Sequence, residues 1–197
     1  MLSRFHTKEV FIISSSDKLI GYVRENLPDG DYQITGTAAG ATEARQKMMN
    51  AQHAVIIINI PLSDESGTEL AGDLAESTES SVIAIVRAEQ EDEMRQELEP
   101  AGVFVLGKPF PHSVFRQTVY DASAAYARLT VVSMENRRLQ TKLIDQRIIN
   151  RAKWALIRYV GMDEEAAHKF IEQQAMNMRI SKRTAAENIL KTYERSE

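Results

Sequence analysis

The stretch that decides the fold of the first half of the chain is residues 54–60, AVIIINI. Four apolar β-branched residues stand together in it, from Val55 to Ile58, and no polar residue alternates with them. Alternation would indicate a strand with one solvent-facing side, whereas an unbroken apolar run is typical of a strand buried on both faces. We therefore expect a parallel sheet that is covered by helices on both sides.

Strand-forming runs alternate with helical segments on either side of this stretch. The predicted strands are Val10–Ser14, Tyr32–Thr37, Ala54–Ile60, Ser81–Val86 and Val103–Leu106. The helical segments between them are Lys18–Leu27, Ala41–Ala51, Ser66–Ala75 and Glu91–Glu99, and a fifth helix follows Pro111. Five strands and five helices in alternation predict an α/β flavodoxin-like (βα)5 fold with a doubly wound sheet.

The end of the chain has a helical pattern instead. Asp145–Val160 carries an apolar stripe of Ile149, Ala152, Leu156 and Val160, and a cationic stripe with one aromatic residue, Arg147, Arg151, Trp154 and Arg158. Gly161 is expected to end this helix and Asp163 to cap a second one, whose buried side is Ala166, Phe170, Ile171 and Ala175. Ser181 is expected to cap a third, with Ala185, Ala186, Ile189, Leu190 and Tyr193 on its inner side. Such short amphipathic helices predict a small three-helix bundle.

A long helix is predicted between these two parts, because proline is absent after Pro111 and glycine is absent from there to Gly161. Residues at alternating steps of three and four form a heptad seam along it: Phe115, Thr118, Ala122, Ala125, Leu129, Val132, Asn136, Leu139 and Leu143. The part from Leu129 to Leu143, with a register-setting Asn136, predicts a coiled-coil homodimer. The alternative is that the seam packs back on the sheet domain, as its first part must.

Composition excludes several classes of protein. Residues 1–134 contain 11 Lys and Arg against 19 Asp and Glu, a net charge of −8, whereas residues 135–197 contain 13 against 9, a net charge of +4. A polyanionic partner is therefore expected to meet the C-terminal part. No cysteine is present and nowhere do 18 apolar residues run together, so we expect no disulfide, no membrane span and a cytoplasmic location.

No catalytic constellation appears in the sequence. The four histidines are dispersed without an i,i+4 metal pair, and there is no Gly-rich phosphate loop. We therefore expect that the protein is not an enzyme and that it holds neither a metal ion nor a cofactor.

The pattern of small, apolar and basic residues in the last quarter of the chain is the basis of a family resemblance. Its members are Ile149, Ala152, Lys153, Leu156, Glu165, Ala166, Ala175, Met176 and Ala186. With this pattern the segment resembles the ANTAR domain, the RNA-binding output module of bacterial transcription antiterminators, and among these it is most similar to the antiterminators of amidase operons. Trp154 departs from the pattern, because the family usually has a small residue there.

The resemblance implies binding to paired hairpins in a nascent messenger-RNA leader, which prevents a terminator from forming. The residues fit that role, because unpaired loop bases stack on aromatic rings and Arg planes while cations contact the phosphates. The candidate RNA-binding residues are Arg147, Arg151, Lys153, Trp154, Arg158, Arg179, Lys182 and Arg183. A plain solvated helix face has the same composition, and Trp154 can instead pack against the preceding domain, so both alternatives stay open.

The first half of the chain resembles the response-regulator receiver domain over about residues 8–125. Gly67 follows Asn59 by eight residues, as a glycine follows the phosphorylated Asp in that family, and Lys108–Pro109 matches a Lys-Pro pair whose peptide bond is often cis. The positions that a working receiver uses for phosphorylation are here Ser14, Ser15, Asn59, Val86 and Lys108.

These residues predict a receiver-like domain that is not phosphorylated. An amide at position 59 is a poor phosphoryl acceptor, and the hydroxyls of Ser14 and Ser15 hold a hard divalent cation weakly in place of an acidic pair. Val86 replaces the hydroxyl, and Lys108 alone is retained. The alternative is a shifted acidic site that uses Asp17 or Asp64.

We expect three parts: a pseudo-receiver domain at residues 1–125, a coiled-coil linker helix at 126–144, and an ANTAR RNA-binding domain at 145–197. The similarity to amidase-operon antiterminators implies control by a regulatory partner protein. One alternative function is a protein-interaction adaptor whose C-terminal bundle binds another protein. Another is a DNA-binding regulator, although the chain lacks a clear helix-turn-helix.

Overall fold

The first half of the chain is built on a five-stranded parallel sheet. The computed structural model describes residues 7–28, 31–48 and 52–193. The strands are β1 Lys8–Ile13, β2 Tyr32–Ala38, β3 Val55–Asn59, β4 Ser81–Arg87 and β5 Phe104–Lys108. Their order is β2-β1-β3-β4-β5, and every neighbouring pair is parallel. This is the predicted flavodoxin-like arrangement.

Helices cover both faces of this sheet. They are α1 Asp17–Asn26, α2 Ala41–Met48, α3 Thr68–Ser77, α4 Glu91–Leu98 and α5 His112–Val160, with short 3-10 helices at Ala88–Gln90 and Glu99–Ala101. Because side chains of a strand alternate, Ile56 and Ile58 join the apolar cluster under α2, α3 and α4, whereas Val55 and Ile57 join the one under α1 and the start of α5. All four are completely buried, as the unbroken apolar run predicts.

The helix starts and turns have local causes. The Ser16 hydroxyl accepts a hydrogen bond from the Leu19 amide and caps α1. Gly67 begins α3 with a φ of 86°, and an added Cβ would lie 3.0 Å from the Leu62 side chain, so a larger residue is disfavoured there. The Lys108–Pro109 bond is cis, as the receiver resemblance implies.

α5 is a single helix of 49 residues. Its first turns lie in the sheet domain, where Phe115, Val119 and Ala122 are buried. The predicted seam residues beyond this region are all exposed: Leu129, Val132, Asn136, Leu139 and Leu143. The chain divides into two compact units, residues 1–133 and 134–197, and the division falls within α5.

The second unit is a three-helix bundle made by the end of α5, α6 Glu164–Met178 and α7 Lys182–Tyr193. Asp163 caps α6 by accepting from the Ala166 amide at 2.7 Å, Gly161 has a φ of 74°, and the Ser181 hydroxyl accepts from the Thr184 amide at 3.0 Å. The predicted helix-capping residues, Asp163 and Ser181, and the predicted helix-terminating residue, Gly161, are therefore confirmed.

The core of the bundle differs from prediction at two positions: Val160, the last member of the predicted apolar stripe, is exposed, and Ala166 does not face inward. Its buried residues are Ala152, Ala155, Leu156, Ala167, Ile171, Ala175, Ala185, Ala186, Ile189 and Leu190. The expectation that Ala166 faces inward is wrong: Ala166 is exposed and Ala167 is buried, because a shift of one residue turns a helical side chain by about 100°. Within the described ranges, no helix combines the length and apolar character needed to cross a membrane.

Candidate nucleic-acid interface and strand-end site

The carboxyl ends of β1, β3 and β5 bring three predicted residues together. The Lys108 Nζ atom donates a hydrogen bond to Asn59 Oδ1 at 2.6 Å, and Asn59 Nδ2 donates to Ser14 Oγ at 3.1 Å. Ser14 Oγ also accepts from the Ser16 amide at 3.0 Å. These bonds link β5, β3 and β1 into one polar chain, which we call the strand-end triad (Ser14, Asn59 and Lys108).

The strand-end triad carries a cation and neutral acceptors. Burial, and then the charge of Arg87, lower the pKa of the Lys108 ammonium below its ordinary value. Ser14 is buried and Ser15 is exposed, and neither brings a carboxylate. In the parts of the chain that the structure describes, no group of three or more His, Cys, Asp or Glu residues is placed to hold a metal ion. The lysine of the triad can donate hydrogen bonds to an acceptor group. The triad has no carboxylate nucleophile that could take a phosphoryl group.

Val86 does not line this site. It is completely buried and packs with Val82 and Ala84 in the apolar cluster under α2, α3 and α4. The β4 residue beside Lys108 is Arg87, which pairs with it in strand register and is exposed. The predicted strand Ser81–Val86 is one residue shorter than β4, and this placed Val86 instead of Arg87 at the site. The alternation of buried and site-facing side chains along β4 distinguishes the two residues.

The two acidic residues of the alternative, shifted site lie at the starts of helices instead. The Asp64 carboxylate accepts hydrogen bonds from the Ala41 and Thr42 amides at 2.8 and 3.0 Å, at the start of α2. These bonds lower its pKa to about 2. Asp17 is the first residue of α1, where an acidic side chain favours the helix N-terminus.

The cationic stripe of Arg147, Arg151, Trp154 and Arg158 is exposed in the second unit. Trp154 leaves 70% of its surface accessible, an unusual position for the largest apolar side chain in a small bundle. The stripe lies opposite Ala152 and Leu156, which are completely buried. The helix therefore presents cations and one indole ring on a face that the bundle core does not use.

The remaining predicted RNA-binding residues are arranged differently. Lys153 is bonded to Glu164 at 2.9 Å, with only 16% of its side chain exposed, and Lys182 is bonded to Glu172. Arg183 pairs with Asp145 at 3.1 Å and with Glu187 at 2.9 Å. Arg179 is exposed in the turn after α6, with a φ of 53°. The structure thus brings four of the eight candidates onto one stripe and engages three in ion pairs within the bundle.

An aromatic pair that the sequence pattern did not predict lies beside this stripe. The rings of Tyr159 and Tyr193 are stacked, with centroids 6.2 Å apart and planes 5° from parallel. The Arg158 guanidinium carbon lies 5.4 Å from the centroid of the Tyr159 ring. Tyr159 follows the stripe directly in sequence, but its partner belongs to α7, so only the folded bundle shows the pair.

Comparisons with known proteins agree with both units. Residues 137–190 match the ANTAR domain. The chain is similar to the transcriptional regulatory protein PdtaR of Mycobacterium tuberculosis, strains CDC 1551 and H37Rv, with 24% identity over 182 residues, 92% of this chain and 89% of the relative.

Solved receiver domains share the fold of the first unit. A CheY-like receiver domain protein from Methanospirillum hungatei superposes with a TM-score of 0.55 at 18% identity, covering 62% of this chain and 98% of that one. The receiver domain of an HD domain-containing protein from Pseudomonas fluorescens superposes with a TM-score of 0.57 at 14% identity, covering 64% and 95%. The chain thus has a receiver-like fold in its first unit and a C-terminal segment that matches the ANTAR domain.

Proposed function

We propose that this protein is an RNA-binding transcription antitermination regulator that recognises hairpin loops in a nascent messenger-RNA leader. The observation that carries this proposal is the exposed stripe of Arg147, Arg151, Trp154 and Arg158 on the last turns of α5. Its place within the segment that matches the ANTAR domain supports the same function.

The chemistry of the stripe suits unpaired nucleotides. An exposed indole ring stacks on a base of any identity, and stacking contributes about 1–3 kcal/mol per base. Guanidinium groups on either side of Trp154 contact the phosphates and release counterions, which makes the affinity depend on salt. The exposed ion pairs of Lys182 and Arg183 can give way to phosphate contacts, because surface pairs contribute little stability.

The receiver-like unit is proposed to act without aspartyl phosphorylation. Asn59 is neutral and already bonded on both sides, to Lys108 and to Ser14. Control then falls to a regulatory partner protein, as in the amidase-operon antiterminators that the C-terminal segment resembles. Acetyl phosphate with Mg²⁺ is expected to leave the mass of the protein unchanged, and beryllium fluoride to leave its NMR spectrum unchanged near Asn59.

Two copies are proposed to associate through α5. Leu129, Val132, Leu139 and Leu143 are large apolar side chains that a single chain leaves exposed at heptad spacing. In this arrangement residues 126–144 form the coiled-coil linker between the pseudo-receiver at 1–125 and the ANTAR domain at 145–197. Two linked RNA modules bind paired hairpins more tightly than one, because the second contact is intramolecular.

A protein-interaction adaptor is the second candidate function. The observation that favours it is Met178 of α6, which is exposed and lines a groove of about 200 Å³ between α6 and α7; Met176 is exposed as well. Exposed methionines adapt to varied apolar partners. In this case the C-terminal bundle binds another protein and has no specific binding site for RNA.

Titration of labelled RNA separates these functions. A hairpin with an unpaired loop, the same hairpin with a fully paired stem, and duplex DNA are titrated at two salt concentrations. The variants are Arg151→Ala/Lys153→Ala and the sharper pair Arg147→Ala/Arg151→Ala, since Lys153 is mostly shielded. The matched control is Arg138→Ala/Lys142→Ala, which removes the same charge nine residues earlier, on the opposite side of α5.

Antitermination predicts loop-dependent RNA affinity in the wild type and the control. The Arg147→Ala/Arg151→Ala variant is expected to bind more weakly. The slope of its log affinity against log salt concentration should be smaller in magnitude by about 1 for each lost phosphate contact. Failure of every nucleic acid to bind would favour the adaptor. Equal binding to duplex DNA and to the looped hairpin would contradict RNA recognition.

A further inference from the structure

A pocket of about 370 Å³ opens beside the strand-end triad. Leu19 and Tyr22 of α1 and Phe110 form its apolar wall, and Asn59 and Lys108 lie at its polar end. This volume falls within the range of small-molecule sites. The pocket also lies at the carboxyl ends of β1 and β3, where the strand order of a doubly wound sheet reverses and ligands bind.

The polar end of the pocket is positively charged. Lys18 and Lys108 both line the pocket, and none of the residues that line the pocket is acidic. Lys108 lies next to a further cation, Arg87, its partner in strand register. A lysine ammonium has three donors, of which one is directed at Asn59 in the described structure. Burial lowers the pKa of this lysine, so an anion at the pocket would restore the preference for the charged form.

The apolar wall is largely aromatic, and the Tyr22 ring in it contacts three further rings. The Tyr22 ring stacks on His112 with centroids 5.2 Å apart, and it meets Phe110 and Phe115 edge-on at 5.7 and 5.5 Å. The Tyr22 hydroxyl is shielded from solvent and has no hydrogen-bond partner among the described residues.

From these three features we propose that the pocket binds a small aromatic carboxylate. The carboxylate lies at Lys108 and the Asn59 amide, and the flat apolar body packs against Tyr22, Leu19 and Phe110. The receiver-like unit would then have a small-molecule input at the edge where phosphorylation is absent. This inference concerns the first unit alone and does not depend on RNA binding by the second.

The charge and the shape of the ligand can be tested separately. Full-length protein labelled with ¹⁵N is titrated with 2-naphthoate, with its neutral counterpart 2-naphthamide, and with inorganic phosphate, while backbone NMR shifts are followed. We expect saturable shifts at Tyr22, Asn59 and Phe110 with 2-naphthoate, at a Kd below about 1 mM. The amide is expected to bind about tenfold more weakly, because the contact with a charged group is lost.

Variants locate the site. Lys108→Gln is expected to weaken 2-naphthoate about tenfold and to leave 2-naphthamide unchanged, whereas Phe110→Ala weakens both. Lys47→Gln, on α2, removes the same charge outside the pocket and should bind as the wild type does. Circular dichroism and Tm establish that each variant is folded.

Three results would overturn the proposal. The first is the absence of saturable shifts with 2-naphthoate in the folded wild-type protein. The second is equal affinity for the carboxylate and the amide, which would show that the cations contribute nothing. The third is phosphate binding as tight as that of 2-naphthoate, which would reduce the pocket to a general anion site.

Discussion

The Nζ atom of Lys108 lies 2.6 Å from the Oδ1 atom of Asn59. A carboxylate at position 59 would give this lysine an opposite charge, whereas the amide gives it only a dipole. The second end of the same amide donates to Ser14, so one neutral side chain connects β5 to β1 through β3. The edge of the sheet therefore keeps a lysine and has no acidic partner for it in the triad.

Restoring the acceptor alone is expected to leave the protein unphosphorylated. In Asn59→Asp the new carboxylate meets Lys108, but Ser14 and Ser15 still supply only hydroxyls for Mg²⁺. After incubation with acetyl phosphate and Mg²⁺, mass spectrometry should show no added phosphoryl group. The control, Asn59→Asp/Ser14→Asp/Ser15→Asp, has the acidic pair and should gain Mg²⁺ binding. A phosphorylated single variant would contradict this account.

Loss of the exposed indole is expected to weaken RNA binding without affecting folding. Trp154→Ala removes a stacking contact of about 1–3 kcal/mol per base, which is a drop in affinity of about 5- to 150-fold. Trp154→Phe keeps a ring and should retain much of the affinity. Because 70% of the Trp154 surface is accessible, Tm should stay close to the wild-type value in both variants. A large fall in Tm would mean that the ring is a packing residue.

The bundle core should be sensitive to truncation at Leu156. This side chain is completely buried between the three helices, so Leu156→Ala should lower the free energy of unfolding of the second unit by about 2–5 kcal/mol. Val160→Ala, one turn later at a half-exposed position, is the matched control and should cost far less. Denaturation followed by tryptophan fluorescence reports the unfolding of this unit, because Trp154 is the single tryptophan of the chain. Equal losses in both variants would be inconsistent with the bundle described above.

The exposed seam of α5 should control self-association. Leu139→Asp/Leu143→Asp places like charges where a coiled coil needs apolar contacts, so sedimentation at micromolar concentration should give a monomer. Gln140→Asp adds charge next to the seam and should leave the dimer intact. Affinity for twin hairpins should fall in the seam variant, while affinity for a single hairpin should not. A wild-type protein that sediments as a monomer with and without RNA would refute the dimer.

Acid should destabilise the first unit through His53. Its ring is buried against Phe11, and burial lowers the pKa of His53 below the ordinary value of 6.5, while Glu9 partly opposes this shift. The unfolded chain therefore binds a proton more readily, and stability is lost as pH falls below the unfolded pKa.

Tm should thus decrease between about pH 7.5 and about pH 5.5. His53→Gln should flatten this part of the profile. His168 is half exposed on α6, and His168→Gln is the control that should keep the wild-type slope. An NMR titration that places the pKa of His53 above the ordinary value of 6.5 would contradict the expected sign.

Sequence alone was sufficient for the sheet, the helix order and the placement of an amide, Asn59, at the carboxyl end of β3. The unbroken run from Val55 to Ile58 requires two covered faces, and Asp163, Gly161 and Ser181 set helix ends through their own backbone preferences. Asn59 ends β3 and Ser14 follows β1 directly, so their meeting at one edge follows from a parallel sheet. These properties are local in sequence, which is why periodicity and capping chemistry reveal them.

Tertiary structure decided which side chains meet. It paired Lys153 with Glu164 and Arg183 with Asp145, stacked Tyr159 on Tyr193, set Arg87 instead of Val86 beside Lys108, and buried Ala167 in place of Ala166. It also enclosed the pocket between α1 and the end of β5. A long side chain finds its partner only when distant elements are packed at a particular rotation, and helical periodicity leaves that rotation uncertain by about one residue.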